Sequence, residues 1–301
     1  MPLSHLLLAL AVVAVWGTNF VVIKWGLDEL PPLLFTTLRF ALSAFPLLLF
    51  IKRPAVPWHK LVAFGLLHGV GLFGMMLFAM RGDISPGLAS LVIQTQVFFT
   101  IVLAVLLDGE RPRPVQALAL GLAVAGMALI AGHIDQHSIT ALGLALVLCA
   151  AMSWAGANMV AKSLGSIDTI GFMVWISVVA TPALAVLSLV VEGPALIADR
   201  VSHASAGAWA AVAWQALATS LFGYGAWNWL LTRHPAATVA PAALLVPVFG
   251  MAASSLLLGE SLPGWKLGAT ALVLGGLALN TLASRATRSA AATERFTESV
   301  S

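Results

Sequence analysis

Leu106-Leu107-Asp108-Gly109-Glu110 and Leu256-Leu257-Leu258-Gly259-Glu260 spell one pattern at an offset of 150 residues. Self-similarity at such a distance marks a duplicated unit and decides the fold before any local reading does. Working outward, Gly121, Ala125 and Gly126 fall on Ala271, Gly275 and Gly276 at the same offset. Nearer the start of each half, Trp16 and Lys24 have the spacing of Trp154 and Lys162, and Pro46 matches Pro182. The offset drifts from 136 to 150, which assigns the length difference to the region of the third and fourth apolar runs.

The solvent for this chain is a bilayer. Its 301 residues are 60% hydrophobic and 9% charged, with a mean hydropathy of +0.99, whereas soluble domains carry about 25% charged residues. Each crossing uses about 20 apolar residues. Segmenting by apolar run and by Pro, Gly and charge gives spans near 4–25, 32–51, 60–80, 86–107, 114–131, 140–161, 169–191, 206–231, 236–258 and 265–283. Ala9-Leu10-Ala11 resembles a signal-peptidase site, but no Lys or Arg precedes it and the apolar run continues to Ile23, so the first span is read as a retained helix.

Five spans per copy is an odd number, so the second copy enters the membrane from the opposite side. The expectation is an all-α integral membrane protein of ten transmembrane helices in two inverted five-helix repeats, residues 1–136 and 137–284, with a disordered cytoplasmic tail over 285–301. The positive-inside rule fixes the orientation. With both termini inside, Lys52, Arg53, Lys60, Arg111, Arg113, Lys162, Arg233, Arg285, Arg288 and Arg295 face the cytoplasm, while Lys24, Arg81, Arg200 and Lys266 face outward and Arg39 stays within a span. Inverted repeats of this kind build secondary transporters, in which a midplane site is exposed alternately to each face.

Several other classes are excluded. The net charge of +3 comes from 15 basic against 12 acidic residues with no basic run in the body of the chain, so nucleic acid is not a partner. Cys149 is the only cysteine, which removes an intrachain disulfide and a Cys-based metal site, and no cofactor is implied. No HExxH, Gly-x-Ser-x-Gly or intramembrane Asp pair nominates an enzyme.

The run Trp16-Gly17-Thr18-Asn19-Phe20 leading to Lys24, the pattern Pro32-x-x-Phe35-x-x-x-Arg39 and a Gly-Glu closing spans 4 and 9 resemble EamA-type members of the drug/metabolite transporter superfamily over about residues 1 to 283. The resemblance implies a bacterial inner-membrane carrier of two EamA repeats that exports amino acids, aromatic or broad-range, or other small metabolites. It also implies a central cavity lined by spans 1, 3, 4, 6, 8 and 9, with spans 5 and 10 packed peripherally. The chain departs from the family pattern at Gln96, where span 9 keeps Pro247, and at Trp175 and Ala155, which stand where the first copy has Arg39 and Gly17.

Polar groups in hydrocarbon are costly, so those at mid-span are read as functional. His68, flanked by Gly65, Gly69 and Gly71, is the mid-span group suited to proton coupling, and no Asp or Glu lies at that depth. Trp16, Asn19 and Phe20 share a face of span 1, and Trp154 and Asn158 repeat the arrangement on span 6. Gln94 and Phe98 on span 4, Met75, Met76 and Phe78 on span 3, and Gln215, Thr219, Tyr224 and Trp227 on span 8 complete the expected substrate wall. Pro241 and Pro247 interrupt span 9 as hinge candidates. Arg39 is expected to reach loop carbonyls or outer acids; Glu110 and Glu260 to anchor at the interface; Asp28, Glu29, Asp83, Asp135, Glu192 and Asp199 to be solvated. Gly121-xxx-Ala125 and Ala271-xxx-Gly275 are small-residue faces through which spans 5 and 10 meet, either within one chain or across a homodimer. The leading function is export of amino acids by alternating access; efflux of drugs or other metabolites and a passive channel are the alternatives.

Overall fold

The computed structural model describes residues 1–45, 47–109, 114–134, 138–165 and 167–300, with side chains to residue 282 except at 236 and 237. The expectations for Pro46, Glu110, Arg111, Arg113, Asp135 and the side chains of the tail lie outside the described residues.

Among the described residues the chain is all-helical, with one isolated bridge, Ile84 to Ile139, in place of any strand. Eight helical segments are long and apolar enough to cross a membrane. They are α1 (Leu3–Glu29), Pro32–Leu49 containing α2 (Pro32–Ala44), α3 (Trp58–Met80), α4 (Pro86–Asp108), α5 (Pro114–Ala131), α6 (Ala141–Lys162), α7 (Thr169–Val191) and, as α9, Ala240–Leu258. Helical structure also fills 206–233, here α8, and α10 (Gly264–Val300). The helices start and stop close to where the apolar runs predict, except that α10 continues to Val300, past the apolar run ending near 283.

Local chemistry explains the boundaries. Pro32, Pro86 and Pro114 open α2, α4 and α5, where a missing N–H costs nothing. Side-chain oxygens of Thr140, Asp168 and Ser205 accept from the first free amides of α6, α7 and α8. Gly109 and Gly259 close α4 and α9 at φ of 67° and 69°, a left-handed cap that favours glycine. The repeated Leu-Leu-x-Gly-Glu motif is therefore a helix stop.

The irregular turns recur between the halves. α3 is π-helical over Leu66–Gly74 and α8 over Gln215–Tyr224; shifting 66–74 by 150 gives 216–224. α4 tightens to a 3-10 turn at Ile93–Thr95, as α9 does at Ala240–Leu245. The offset of 150 thus already holds in span 3. This corrects the location of the length difference: it precedes span 3, where the second half carries an additional short helix, Pro194–His203, between α7 and α8.

Neighbours also exchange in pairs. α1 packs on α9 as α6 packs on α4; α1 packs on α8 as α6 packs on α3. α2 lies on α7, and α5 lies on α10. The last contact is made within one chain, but not by the small-residue faces the sequence suggested. A Cβ at Gly126 would meet Val273, and one at Gly276 would meet the Ala119 carbonyl, whereas Gly121 and Gly275 have open space around them. Gly121, Ala125, Ala271 and Gly275 are exposed on the far side of the pair.

Candidate functional site

A cavity of about 490 Å³ lies between the two halves. From the first half it is walled by Trp16, Asn19 and Phe20 of α1, Arg39 of α2, Leu72, Phe73 and Met76 of α3, and Ile93, Gln94, Gln96 and Val97 of α4. From the second half come Trp154 of α6, Thr219, Tyr224 and Trp227 of α8, Ala240, Ala243, Leu244 and Val246 of α9, and Leu277 and Thr281 of α10. The irregular turns of α3, α4, α8 and α9 all contribute, as expected where helices are distorted to build a site. Arg39 and Thr281 revise the lining implied by the resemblance: the second and tenth helices take part.

The aromatic wall is assembled from the α1–α8 contact. Trp16 donates from Nε1 to the Thr219 carbonyl at 3.1 Å, and its ring lies 5.5 Å from Tyr224 and 5.3 Å from Trp227. A side chain at Gly223 would collide with the Trp16 indole, so the glycine admits it. Trp154 stands alone on the α6 side.

The amides are largely occupied by protein. Asn19 Oδ1 accepts from Gln215 Nε2 at 2.5 Å and from the Thr219 hydroxyl at 3.3 Å, and its Nδ2 donates to Gln215 Oε1 at 3.4 Å. Gln215 is fully buried behind this pair and does not line the cavity. Asn158 does not line the cavity itself but donates to Oε1 of Gln96, which does, at 2.7 Å and to Thr100 Oγ1 at 3.2 Å, tying α6 to α4. On α4, Gln94 and Gln96 line the cavity whereas Phe98 turns toward Gly276 of α10.

His68 lies behind the wall. Rings of Phe64, Phe73, Phe40 and Tyr224 surround it at 5.3, 5.1, 6.3 and 6.3 Å, and neither ring nitrogen has a hydrogen-bond partner. The cavity does not reach it. On the same helix Leu72, Phe73 and Met76 face the cavity while Met75 and Phe78 pack against the core. Pro241 falls within the 3-10 turn whose Ala240, Ala243 and Leu244 line the cavity, and Pro247 begins the α-helical part of α9.

Arg39 differs most from expectation. It touches neither loop carbonyls nor outer acids. It is 2% exposed, its Cζ sits 3.7 Å from the centre of the Phe73 ring and 5.5 Å from that of Phe40, and Nη2 donates to Ser220 Oγ at 3.3 Å. Nε and Nη1 have no partner. Isolating a buried charge from its counter-charge costs about 3–5 kcal/mol, and no Asp or Glu lines the cavity. Arg39 lies well inside a span and is buried, and so carried the signal that finds it, since intramembrane ionisable residues are functional by default.

Three of the acids read as solvated, Glu29, Asp83 and Glu192, accept structural hydrogen bonds, whereas Asp28 and Asp199 are exposed as expected. Glu192 accepts from the amides of Leu33 and Leu34 at 2.7 and 3.0 Å, Glu29 from the amide and hydroxyl of Ser205, and Asp83 from Thr140 Oγ1. Glu260 accepts from Ser85 Oγ, the Gly87 amide and Lys266 Nζ, and Lys266 is wholly buried. Carboxylates at helix N-termini meet free amides and the positive dipole end; a mid-loop position in the sequence does not reveal such a partner.

The EamA-like transporter family matches the chain twice, over residues 3–132 and 141–282. A protein of Salmonella typhimurium named a probable amino-acid metabolite efflux pump is 38% identical over 288 residues, covering 94% of this chain and 96% of its own. One of the same name from Escherichia coli K12 is also 38% identical, over 92% of this chain and 95% of its own. A crystal structure at 20% identity superposes with a TM-score of 0.61 over 93% of this chain and 98% of the other, which shows the fold alone. Relatives matched nearly end to end and a family unit found in both halves make this chain a multi-pass inner-membrane transporter that belongs to the EamA-like family.

Proposed function

We propose that the chain exports amino acids or related small metabolites by alternating access through the cavity between two inverted five-helix repeats, 1–136 and 137–284. Ten membrane crossings with both termini in the cytoplasm complete the reading. The observation that carries it is the paired construction of the cavity: equivalent π and 3-10 turns of α3 and α8, and of α4 and α9, meet at one site. Two arrangements of such a pair, related by exchange of the halves, are the physical basis of alternating access. The names of the Salmonella and Escherichia relatives supply the substrate class, and a cavity of about 490 Å³ with indole walls accommodates an amino acid. Efflux of cationic drugs fits less well, because no carboxylate lines the cavity.

Uptake of radiolabelled amino acids into liposomes containing the purified chain tests the reading, with empty liposomes and excess unlabelled competitor as controls. Saturable uptake with counterflow is the expected result. Flux that rises without saturation indicates a channel, and saturable uptake of drugs without amino acids transfers the activity to drug efflux.

A further inference from the structure

We infer that Arg39 is the carboxylate anchor of the cavity and that Phe73 is its movable cover, so that substrates are selected for a free carboxylate. The inference rests on the carrier reading above. Arg39 and Phe73 both line the cavity. The guanidinium is buried, receives no carboxylate and leaves Nε and Nη1 without partners, while its one hydrogen bond goes to a neutral acceptor, the Ser220 hydroxyl, at 3.3 Å. A structural arginine at this depth is expected to spend its donors on carbonyls or acids. Here the donors are held in reserve, and a planar guanidinium matches a carboxylate through two parallel N–H···O bonds.

Phe73 gives the site two states. Its ring stacks on the guanidinium at 3.7 Å, a cation–π contact that shelters the charge while no anion is bound. Rotation of that ring toward the cavity opens the free edge of the guanidinium to an incoming carboxylate. Trp16, Trp154 and Trp227 present aromatic faces elsewhere on the same wall, where an α-ammonium finds a weaker cation–π partner. A carboxylate is therefore required, and an ammonium is tolerated.

The test compares three analogues of one skeleton in proteoliposomes of the full chain: phenylalanine, 3-phenylpropanoate, which lacks the amine, and phenylalaninamide, which lacks the carboxylate. Binding is read from intrinsic indole fluorescence and transport from uptake of labelled phenylalanine. In the unmodified protein, phenylalanine and 3-phenylpropanoate are expected to bind at least tenfold more tightly than phenylalaninamide. Arg39→Gln is expected to erase that ratio, Arg39→Lys to restore part of it, and Phe73→Ala to tighten 3-phenylpropanoate binding several-fold without helping the amide. Equal binding of amide and carboxylate by the unmodified protein overturns the proposal, even if Arg39→Gln fails to fold. Retention of the ratio in a folded Arg39→Gln protein overturns it too, and displacement of 3-phenylpropanoate by chloride at equal concentration makes Arg39 an inorganic-anion site instead. Unchanged carboxylate binding in Phe73→Ala overturns the cover. Carboxylate-selective binding without transport refutes the carrier reading and leaves the anchor standing.

Discussion

Asn19 and Gln215 face one another with both amide edges engaged, Asn19 at the cavity wall and Gln215 fully buried behind it. Truncating one leaves the other buried and unsatisfied, at a cost of about 1–3 kcal/mol. Asn19→Leu and Gln215→Leu should each lower the thermal midpoint of the detergent-purified protein, and the double variant should recover part of the loss; additive losses in this double-mutant cycle would show that the pair does not act as a unit. A second residue-scale expectation concerns pH. His5 Nδ1 and His234 Nε2 are 2.6 Å apart where α1 begins and α8 ends, and desolvation, with the positive charges of His5, the N-terminus and Arg233, holds His234 below its ordinary value of 6.5. Below 6.5 the unfolded chain then binds more protons than the folded one, so the stabilisation is complete above that pH and is lost as pH falls through the lowered value. The midpoint should drop between pH 7.5 and 5.5, and drop less in His234→Gln. At this scale residue type was legible but partnership was not: Trp16, Gln94 and Trp154 line the cavity, whereas His68 is enclosed by Phe73, Tyr224 and other rings one layer behind the wall and Asn158 is held there by Gln96. Depth follows from counting along a span; azimuth follows from packing, which a uniformly apolar helix does not encode.

The elements were the most legible level, because Pro at helix starts, Gly at helix stops and apolar runs between them are local signals. The π stretches in α3 and α8 were not legible, since π hydrogen bonding leaves no residue-type signature; one trace of it is Ser220 and Thr219 donating to carbonyls five residues back. Those stretches rotate every later side chain, which accounts for Leu72 and Phe73 facing the cavity beside the expected Met76, in place of Met75 and Phe78. The small-residue faces were misassigned for a related reason: Gly121 and Gly126 are both small, and only packing shows which one is covered. Gly121→Ala and Gly275→Ala should therefore be neutral or slightly stabilising, by up to about 1 kcal/mol, because nothing lies within 4 Å of the added methyl. Gly126→Leu and Gly276→Leu should separate α5 from α10 and lower the folded yield, since even a Cβ at either place meets a side chain or carbonyl of the opposite helix. Equal tolerance at all four positions would contradict the packing.

The two ends of the bundle are tied together differently, and the difference bears on which way the cavity opens. At one end three carboxylates cross between the halves and land on groups where another helix starts: Glu192 on Leu33 and Leu34, Glu260 on Ser85 and Gly87, and Glu29 on Ser205. The part-buried charge-assisted bonds of Glu192 and Glu260 are worth about 1.5–3 kcal/mol each, and those of Glu29 lie in the open. At the other end, among the described residues, the crossing ion pair of Lys162 with Asp108 is exposed, its side chains at 52% and 40%, and pairs of that kind contribute about 0–1 kcal/mol; the part-buried crossing bonds there, Trp175 to the Ile51 carbonyl and His5 to His234, involve no carboxylate. Trp227, Ala240 and Thr281 carry the cavity toward this weaker end. In the proposed orientation the strongly tied end is the outer face, and the carboxylates are therefore expected to act as an outer gate, with the cavity open to the cytoplasm at rest. Replacing Glu192 and Glu260 together by Gln removes several kcal/mol from that closure, and each 1.4 kcal/mol shifts a two-state population tenfold. With the exposed Cys149 changed to Ser, a Met76→Cys reporter in the cavity wall should then react at least tenfold faster with an impermeant maleimide added outside the cell than it does with both glutamates intact. Unchanged outside labelling, with cytoplasmic labelling preserved, would mean that the carboxylates fasten helices without gating them.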